Sequence, residues 1–388
     1  MLRLLPVFVL TASLLPAADT IAVLPLFNHS NAANLDWIGE SAAETIRESL
    51  SSDGDLVLRR EDRVEVFRRL SIRPNAMLTK ASVLKVGEEL DAGQIIFGEF
   101  EVKAGANKER NIRLTARMID LKKMREGAEF EQTGPLEDLS LLETKLAWNF
   151  VRVLGPKSTV TEEEFLRVRP PVRIDAVELY MRGLMSVSAD QKQKLFTQAA
   201  TLDERFSQPA FQLGRSYWEK KDYKQASHWL ERVTRADSHY LEGLYLLGLC
   251  AYHQADYFEA IKRFQAVATE MPLNEVFNDL GAAQSRKALA DAEGNFKKAL
   301  EGDESDPDYW FNMGYWQWKN GVFYAAADKF RAVLDRSPGD SEATSFLGRC
   351  LRKEGPRTGD TRTEGRERLK VSFEDTAFRQ LQAEMKKK

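Results

Sequence analysis

The chain has 388 residues, 43% hydrophobic and 30% charged, a globular composition with length enough for two or three cored domains. Its 56 basic residues stand against 59 acidic ones, so there is no basic excess of the kind that marks a nucleic-acid surface, and no nucleic-acid partner is expected. Two cysteines, Cys250 and Cys350, allow at most one intrachain bridge, which excludes a fold framed by disulfides.

The opening stretch, MLRLLPVFVLTASLLPAADT, sets Arg3 before an apolar run from Leu4 to Leu15 and a small-residue exit at Pro16-Ala17-Ala18. That is the pattern of a secretory signal peptide, too short for a comfortable membrane span. Residues 1–18 are therefore expected to be removed on export, with an uncleaved membrane anchor as the alternative.

Residues 19–155 mix strands and helices. IAVLPLF reads as a buried strand, and LDWIGESAAETIRESLSS as a helix with Ile38, Ala42, Ile46 and Leu50 on one face. DLVLRR is a second strand, followed by helices over EDRVEVFRRL and KASVLKVGEELDA. Three strands follow, QIIFGEFEV, NIRLTARMIDL and EGAEFEQ, and then a helix over LEDLSLLETKLAWNFVRVL. The order describes an α/β domain. It resembles the amino-terminal domain of the Tol-system protein TolB in IAVLPLFN, in Trp37-Ile38-Gly39, in VGEELDAGQIIFGEFE and in RLTARMIDLKK. The resemblance implies a protein-docking domain of the bacterial cell envelope and a periplasmic location.

Residues 156–174 form a charged, proline-bearing linker. Beyond it the chain repeats. Gly214, Gly248, Gly281, Gly314 and Gly348 are spaced by 34, 33, 33 and 34 residues. Twelve residues after three of them come Ala226, Ala260 and Ala326, and sixteen after come Leu230, Phe264 and Phe330. The pattern, clearest in WFNMGYWQWKNGVFYAAADKFRAVLDRSP, resembles the tetratricopeptide repeat. It implies an all-α solenoid of about five helix-pair units over residues 175–354. The remainder, 355–388, is expected to be a mobile tail. It ends in a short helix with Ser372 as N-cap and Phe373, Ala377, Leu381 and Met385 on one face. From residue 351 onward there are 11 basic and 7 acidic residues, so the tail either solvates the end of the array or contacts a membrane or partner.

Cys250, His253, Asp256 and Glu259 are three residues apart each time and invite a metal or nucleophile assignment. The repeat argues against it. The cysteines occupy a position filled elsewhere by Ser216, Ala283 and Trp316, and the equivalents of the other three are Lys319, Val322 and Ala325. No phosphate-cradling glycine motif, Gly-x-Ser-x-Gly or His-Glu-x-x-His occurs, and His29, His228, His239 and His253 are scattered. No catalysis, cofactor or metal is expected.

The repeat resemblance implies a concave groove lined by the second, fifth, ninth and twelfth positions of each first helix. There the chain places Phe211, Tyr245 and Phe311 (fifth), Arg215 and Tyr315 (ninth), and Trp218, Tyr252 and Trp318 (twelfth). Aromatics and arginine dominate interface hot spots, so these eight are the expected contacts for a protein or peptide. The alternative is that several of the rings hold helices together. The protein is thus expected to be an exported scaffold or adaptor in an envelope complex, its membrane association open. An enzyme with an unrecognised site in the α/β domain, or a self-assembling architectural subunit, is the alternative. Amino-terminal sequencing of protein from the envelope fraction is expected to begin at residue 18 or 19; a start at Met1 in cytosolic protein would refute export.

Overall fold

The computed structural model describes residues 20–388 except Asn31, 105–108, 156–159 and 387–388; the signal-peptide assignment over residues 1–18 lies outside the described residues. The first strand is broken. Pro25 brings no N–H to a ladder, so IAVLPLF divides into β1 (Ile21–Val23) and β2 (Phe27–Asn28). Both run parallel to β3 (Gln94–Ala104), which continues as an antiparallel meander into β4 (Arg110–Asp120) and β5 (Arg125–Pro135). The expected second strand, DLVLRR, shrinks to one bridge between Ile21 and Val57. Helix α2 (Arg60–Arg69) starts too soon after it to leave a strand, and the Asp62 carboxylate accepts the Arg59 N–H at 3.0 Å at that helix entry.

Alternation along β3 sorts the helices. Ile95 faces α2 and α3 (Lys80–Glu89), where it packs with Val66, Phe67, Val83 and Val86. Ile96 and Phe100 face α1 (Trp37–Ser52) and α4 (Leu139–Leu154). Gly39 lets α1 lie directly against the Leu26 carbonyl, where any Cβ would collide.

The expected linker contains a packed helix, α5 (Glu162–Arg167). Thr161 and Glu164 cap each other's backbone N–H groups in a capping box. Phe165, the one ring in this charged stretch, is buried against Trp148 at 5.1 Å, and Arg169 covers its other face.

Five helix pairs and a single helix then stack: α6 (Ile174–Met185) with α7 (Ala189–Leu202), α8 (Ser207–Glu219) with α9 (Tyr223–Leu230), and α10 (Tyr240–His253) with α11 (Tyr257–Glu270). After these come α12 (Asn274–Arg286) with α13 (Asp291–Gly302), α14 (Pro307–Lys319) with α15 (Phe323–Arg336), and α16 (Ser341–Leu351). The spaced glycines mark the closest contacts within pairs. A Cβ at Gly248 would strike the Phe264 ring, and one at Gly281 the Phe296 ring. Asp222, Asp256 and Asp340 cap second or first helices by accepting N–H groups from Gln225, Glu259 and Ala343. Asp256 is thus a cap.

The two halves share a core. Buried residues run without a break from the sheet through α1 and α4 to Tyr180, Phe196, Phe206 and Leu213 of the first two pairs. A buried polar cluster sits beside this seam. Ser238 donates to Glu48 at 2.9 Å, Ser207 donates to Asp237 at 2.6 Å, and His239 Nδ1 lies 3.1 Å from Asp237. Arg47 pairs with Glu44 and Glu48, and the imidazole stacks on Phe211 at 4.2 Å.

The tail also departs from expectation. Residues 355–374 lie along the first helices of the array, and helix α17 (Asp375–Lys386) docks beside α10. Glu374 caps α17, accepting N–H groups from Thr376 and Ala377, so the Ser372 cap is corrected. Phe373, Ala377, Phe378 and Leu381 are its packed residues, while Met385 is exposed. Arg379 and Gln382 donate to the Val57 and Ser51 carbonyls, tying the tail back to the α/β domain.

Burial pulls His239 down, but the Glu48 and Asp237 carboxylates outweigh it and raise the imidazole to about 9. The folded value exceeds the ordinary value of about 6.5, so this contribution to stability is complete below that pH and lost as pH rises through about 9. Urea midpoints of the wild type are expected to fall between pH 6.5 and 9.5 by more than those of His239→Gln. Equal slopes would refute the ion pair.

Candidate functional site

The first helices α10, α12, α14 and α16 present one continuous row of side chains, and an extended backbone runs across it. Asn312 accepts the Arg368 N–H at 2.7 Å and donates to the Arg368 carbonyl at 2.7 Å. Asn278 donates to the same carbonyl at 2.8 Å. Two residues further on, Asp279 accepts the Lys370 N–H at 2.9 Å and Tyr245 donates its hydroxyl to the Lys370 carbonyl at 2.9 Å. Upstream, the Tyr315 hydroxyl donates to the Thr363 carbonyl at 2.7 Å, and the Trp318 indole donates to that of Glu354 at 2.7 Å. The grip falls largely on main-chain atoms.

Side chains add charge selection. The Arg368 guanidinium lies 3.6 Å above the Phe311 ring and reaches Asp340 at 2.7 Å, Glu342 at 3.2 Å and Asp308 at 3.3 Å. Lys370 meets Asp306 at 2.6 Å and Asp308 at 2.7 Å. Hydrogen bonding from Arg368 holds the Asp340 carboxyl below the ordinary range. Glu367 points the other way and is buried, accepting from Ser285 at 2.7 Å and from Lys319 at 3.2 Å. Burial pushes Asp279 up to about 7 even though the Lys370 N–H and Asn278 donate to it and the Tyr245 hydroxyl, whose one proton is shared with the Lys370 carbonyl, lies 2.6 Å away.

A tetratricopeptide-repeat family model matches residues 211–274 and 282–341. The helical array is a tetratricopeptide-repeat solenoid. Among solved structures, this chain is similar to "YrrB: a TPR protein with an unusual peptide-binding site", at 19% identity, covering 44% of this chain and 87% of that one with a TM-score of 0.36. It is similar to a MamA structure from Desulfovibrio magneticus RS-1 at 18% identity over 43% and 95% of the two chains, TM-score 0.38. The Pseudomonas aeruginosa pilF protein matches at 18% identity over 46% and 83%, TM-score 0.38. No curated protein matches the chain. A tetratricopeptide solenoid is a scaffold for protein–protein interaction, its concave side offering an extended binding surface.

The solenoid distributes the eight expected contacts unevenly. Tyr245, Phe311, Tyr315 and Trp318 come together beneath the extended segment and are almost completely buried. Phe211 is buried too, under His239, away from that segment. Trp218 and Tyr252 are half-buried, Trp218 against Tyr223 and His253. Arg215 is exposed beside Glu219. Asn278 shares the fifth repeat position with Tyr245 and Phe311, but its hold on backbone, the parts played by Asp279 and Asn312, and the acids around them went unpredicted. One signal was available: Glu242, Glu275, Asp308 and Glu342 recur at the second repeat position with spacings of 33, 33 and 34.

Several of the other candidate groups are buried. Cys250 and Cys350 are free and buried in separate core clusters, and burial raises both thiols to about 11. His253 stacks on Tyr223 at 4.6 Å. Ser41 donates to Glu143 at 2.8 Å, and burial raises that carboxyl to about 8, but Ser41 has no exposed surface from which to meet a substrate. Glu48, Asp237 and His239 have the spacing of a metal-binding trio among the described residues, and against the pull of burial the two carboxylates raise the imidazole between them to about 9. His29 is exposed and pairs with Glu99 at 2.9 Å.

Trp318 is fully enclosed by Tyr315 and Phe346, so Trp318→Ala is expected to cost about 3–5 kcal/mol of stability. Trp218→Ala, at a half-buried ring, is expected to cost distinctly less. Denaturant midpoints of the two variants check the order.

Proposed function

We propose that this protein is a non-enzymatic scaffold of the bacterial cell envelope, exported and periplasmic. Its solenoid binds an extended segment of a partner protein, and its α/β domain docks to a second envelope component. The observation that carries the reading is the groove's grip on main-chain atoms of an extended segment by Asn278, Asp279, Asn312 and Tyr245. Such a grip suits a peptide and performs no bond chemistry.

Among the eight contacts, Arg215, Trp218 and Tyr252 are the ones with surface left for a partner, while Tyr245, Phe311, Tyr315 and Trp318 make the floor. The TolB-like resemblance supports docking by the α/β domain, whose sheet carries exposed charges at Arg113, Arg117, Glu129 and Glu131. The apolar run from Leu4 to Leu15 supports export. Thr20, whose carbonyl accepts the Gly93 and Gln94 N–H groups, follows the expected cut closely, so cleavage leaves the sheet's hydrogen bonding intact. Among the described residues no helix is long and apolar enough to cross a membrane.

A photo-crosslinking amino acid in place of Arg215, at the repeat position of Tyr315, is expected to capture the partner in envelope extracts. The same residue in place of Lys262, exposed on the second helix α11, is expected not to. Adducts from position 262 alone would refute groove binding.

A further inference from the structure

The segment held in the groove belongs to this chain, and the chemistry of its seat specifies what else fits there. Five hydrogen bonds to Arg368 and Lys370 backbone groups would hold any extended chain: Asn312 at the N–H and the carbonyl of residue 368, Asn278 at the same carbonyl, and Asp279 and Tyr245 at residue 370. Extended geometry sends side chains 368 and 370 to one side and 367 and 369 to the other. The first side is acidic. Asp308 is shared by both cations, Asp306 adds to the second, Asp340 and Glu342 to the first, and Phe311 stacks beneath the guanidinium. A planar guanidinium over a ring with carboxylates at its edge is an arginine seat, and a lone ammonium between two aspartates is a lysine seat. Leu369 points into apolar surface shared by the α10–α12 and α12–α14 clusters. The connection back to the array, 355–362, hydrogen-bonds chiefly within the tail, as in Gly359 to Glu364 and Arg362 to Asp360, and so works as a tether.

Resting on the groove reading above, we infer that the external partner presents an extended Arg-apolar-Lys segment, and that residues 361–373 of this chain occupy its seat until it displaces them. The tail is therefore a built-in competitor. A tethered ligand acts at an effective concentration on the order of millimolar, and a partner's apparent affinity is reduced by the fraction of molecules whose groove is open. Weak or mismatched segments are excluded, while a partner with the same pattern and further contacts at Trp218 or Tyr252 enters. Releasing the tail opens Asn278, Asp279, Asn312 and the acids around them to another extended chain, while the helices that carry them contain none of the tail's residues.

The test uses a fluorescein-labelled peptide spanning residues 361–374 and the full chain in three forms: wild type, Arg368→Glu/Lys370→Glu, and that tail variant with Asn278→Ala and Asn312→Ala added. By fluorescence anisotropy the peptide is expected to bind the tail variant at least about tenfold more tightly than wild type. The added groove substitutions should abolish binding, and a peptide with glutamate at both cationic positions should not bind. Equal binding to wild type and tail variant, or binding to neither, would overturn the inference. Should the tail variant fail to fold, a protease site placed at 356–360 and cut after folding leaves every groove contact native. The labelled peptide is then expected to exchange with the cut tail, and failure to exchange would equally overturn it. A positive Arg215 crosslink with a negative peptide result would defeat the competitor alone; adducts from Lys262 alone would defeat the groove.

Discussion

Asn278, Asp279 and Asn312 have no exposed surface, and a buried polar group without a partner destabilises the fold by an amount comparable to a lost hydrogen bond or more. These three residues meet that constraint through the backbone of Arg368 and Lys370 as well as each other. Much else about the solenoid's inner side follows. The rings of Tyr245, Phe311 and Tyr315 lie beneath the segment, and the acids of α14 and α16 gather where its cations stand. The groove is built to hold an extended chain and is holding one.

The same tail joins the two halves of the molecule. Arg379 and Gln382 of α17 reach backbone carbonyls of the α/β domain, while Phe373 and Phe378 pack with α10. Together with the core shared across α1, α4 and α6, and the Glu48–Asp237–His239 cluster, this makes the seam a second structural commitment. The segment held in the groove and the helix that reaches the α/β domain are therefore consecutive in the chain. The solenoid and the α/β domain are coupled through a segment whose first anchor is exchangeable in chemistry, since it rests on backbone and charge. The Glu48–Asp237–His239 cluster and the shared core contain no residue of that segment.

The repeat was legible because its cause is local and periodic: a glycine must face Phe264 or Phe296, and that spacing recurs wherever two helices touch. The same logic disposed of Cys250, His253, Asp256 and Glu259, which the structure shows as filler, ring partner, cap and ion-pair partner of Lys262 and Arg263. The α/β domain's helices and long strands were also readable from periodicity. Errors came where one residue outweighed the pattern, as Pro25 did in splitting the first strand and Phe165 in anchoring the linker helix.

What sequence alone determined was the class of each half, because hydrophobic periodicity and the recurring glycines are local signals. The repeat positions that carry Tyr245, Phe311, Tyr315 and Trp318 were named by the resemblance to the tetratricopeptide repeat. Only the tertiary structure decided what lies against them. The contacts between Asn312 and Arg368 span 56 residues and those between Asp279 and Lys370 span 91, distances over which no local propensity acts. In sequence, 355–374 is a charged stretch with glycines; its first part closes turns on itself, and 366–370 runs extended against the surface that receives it.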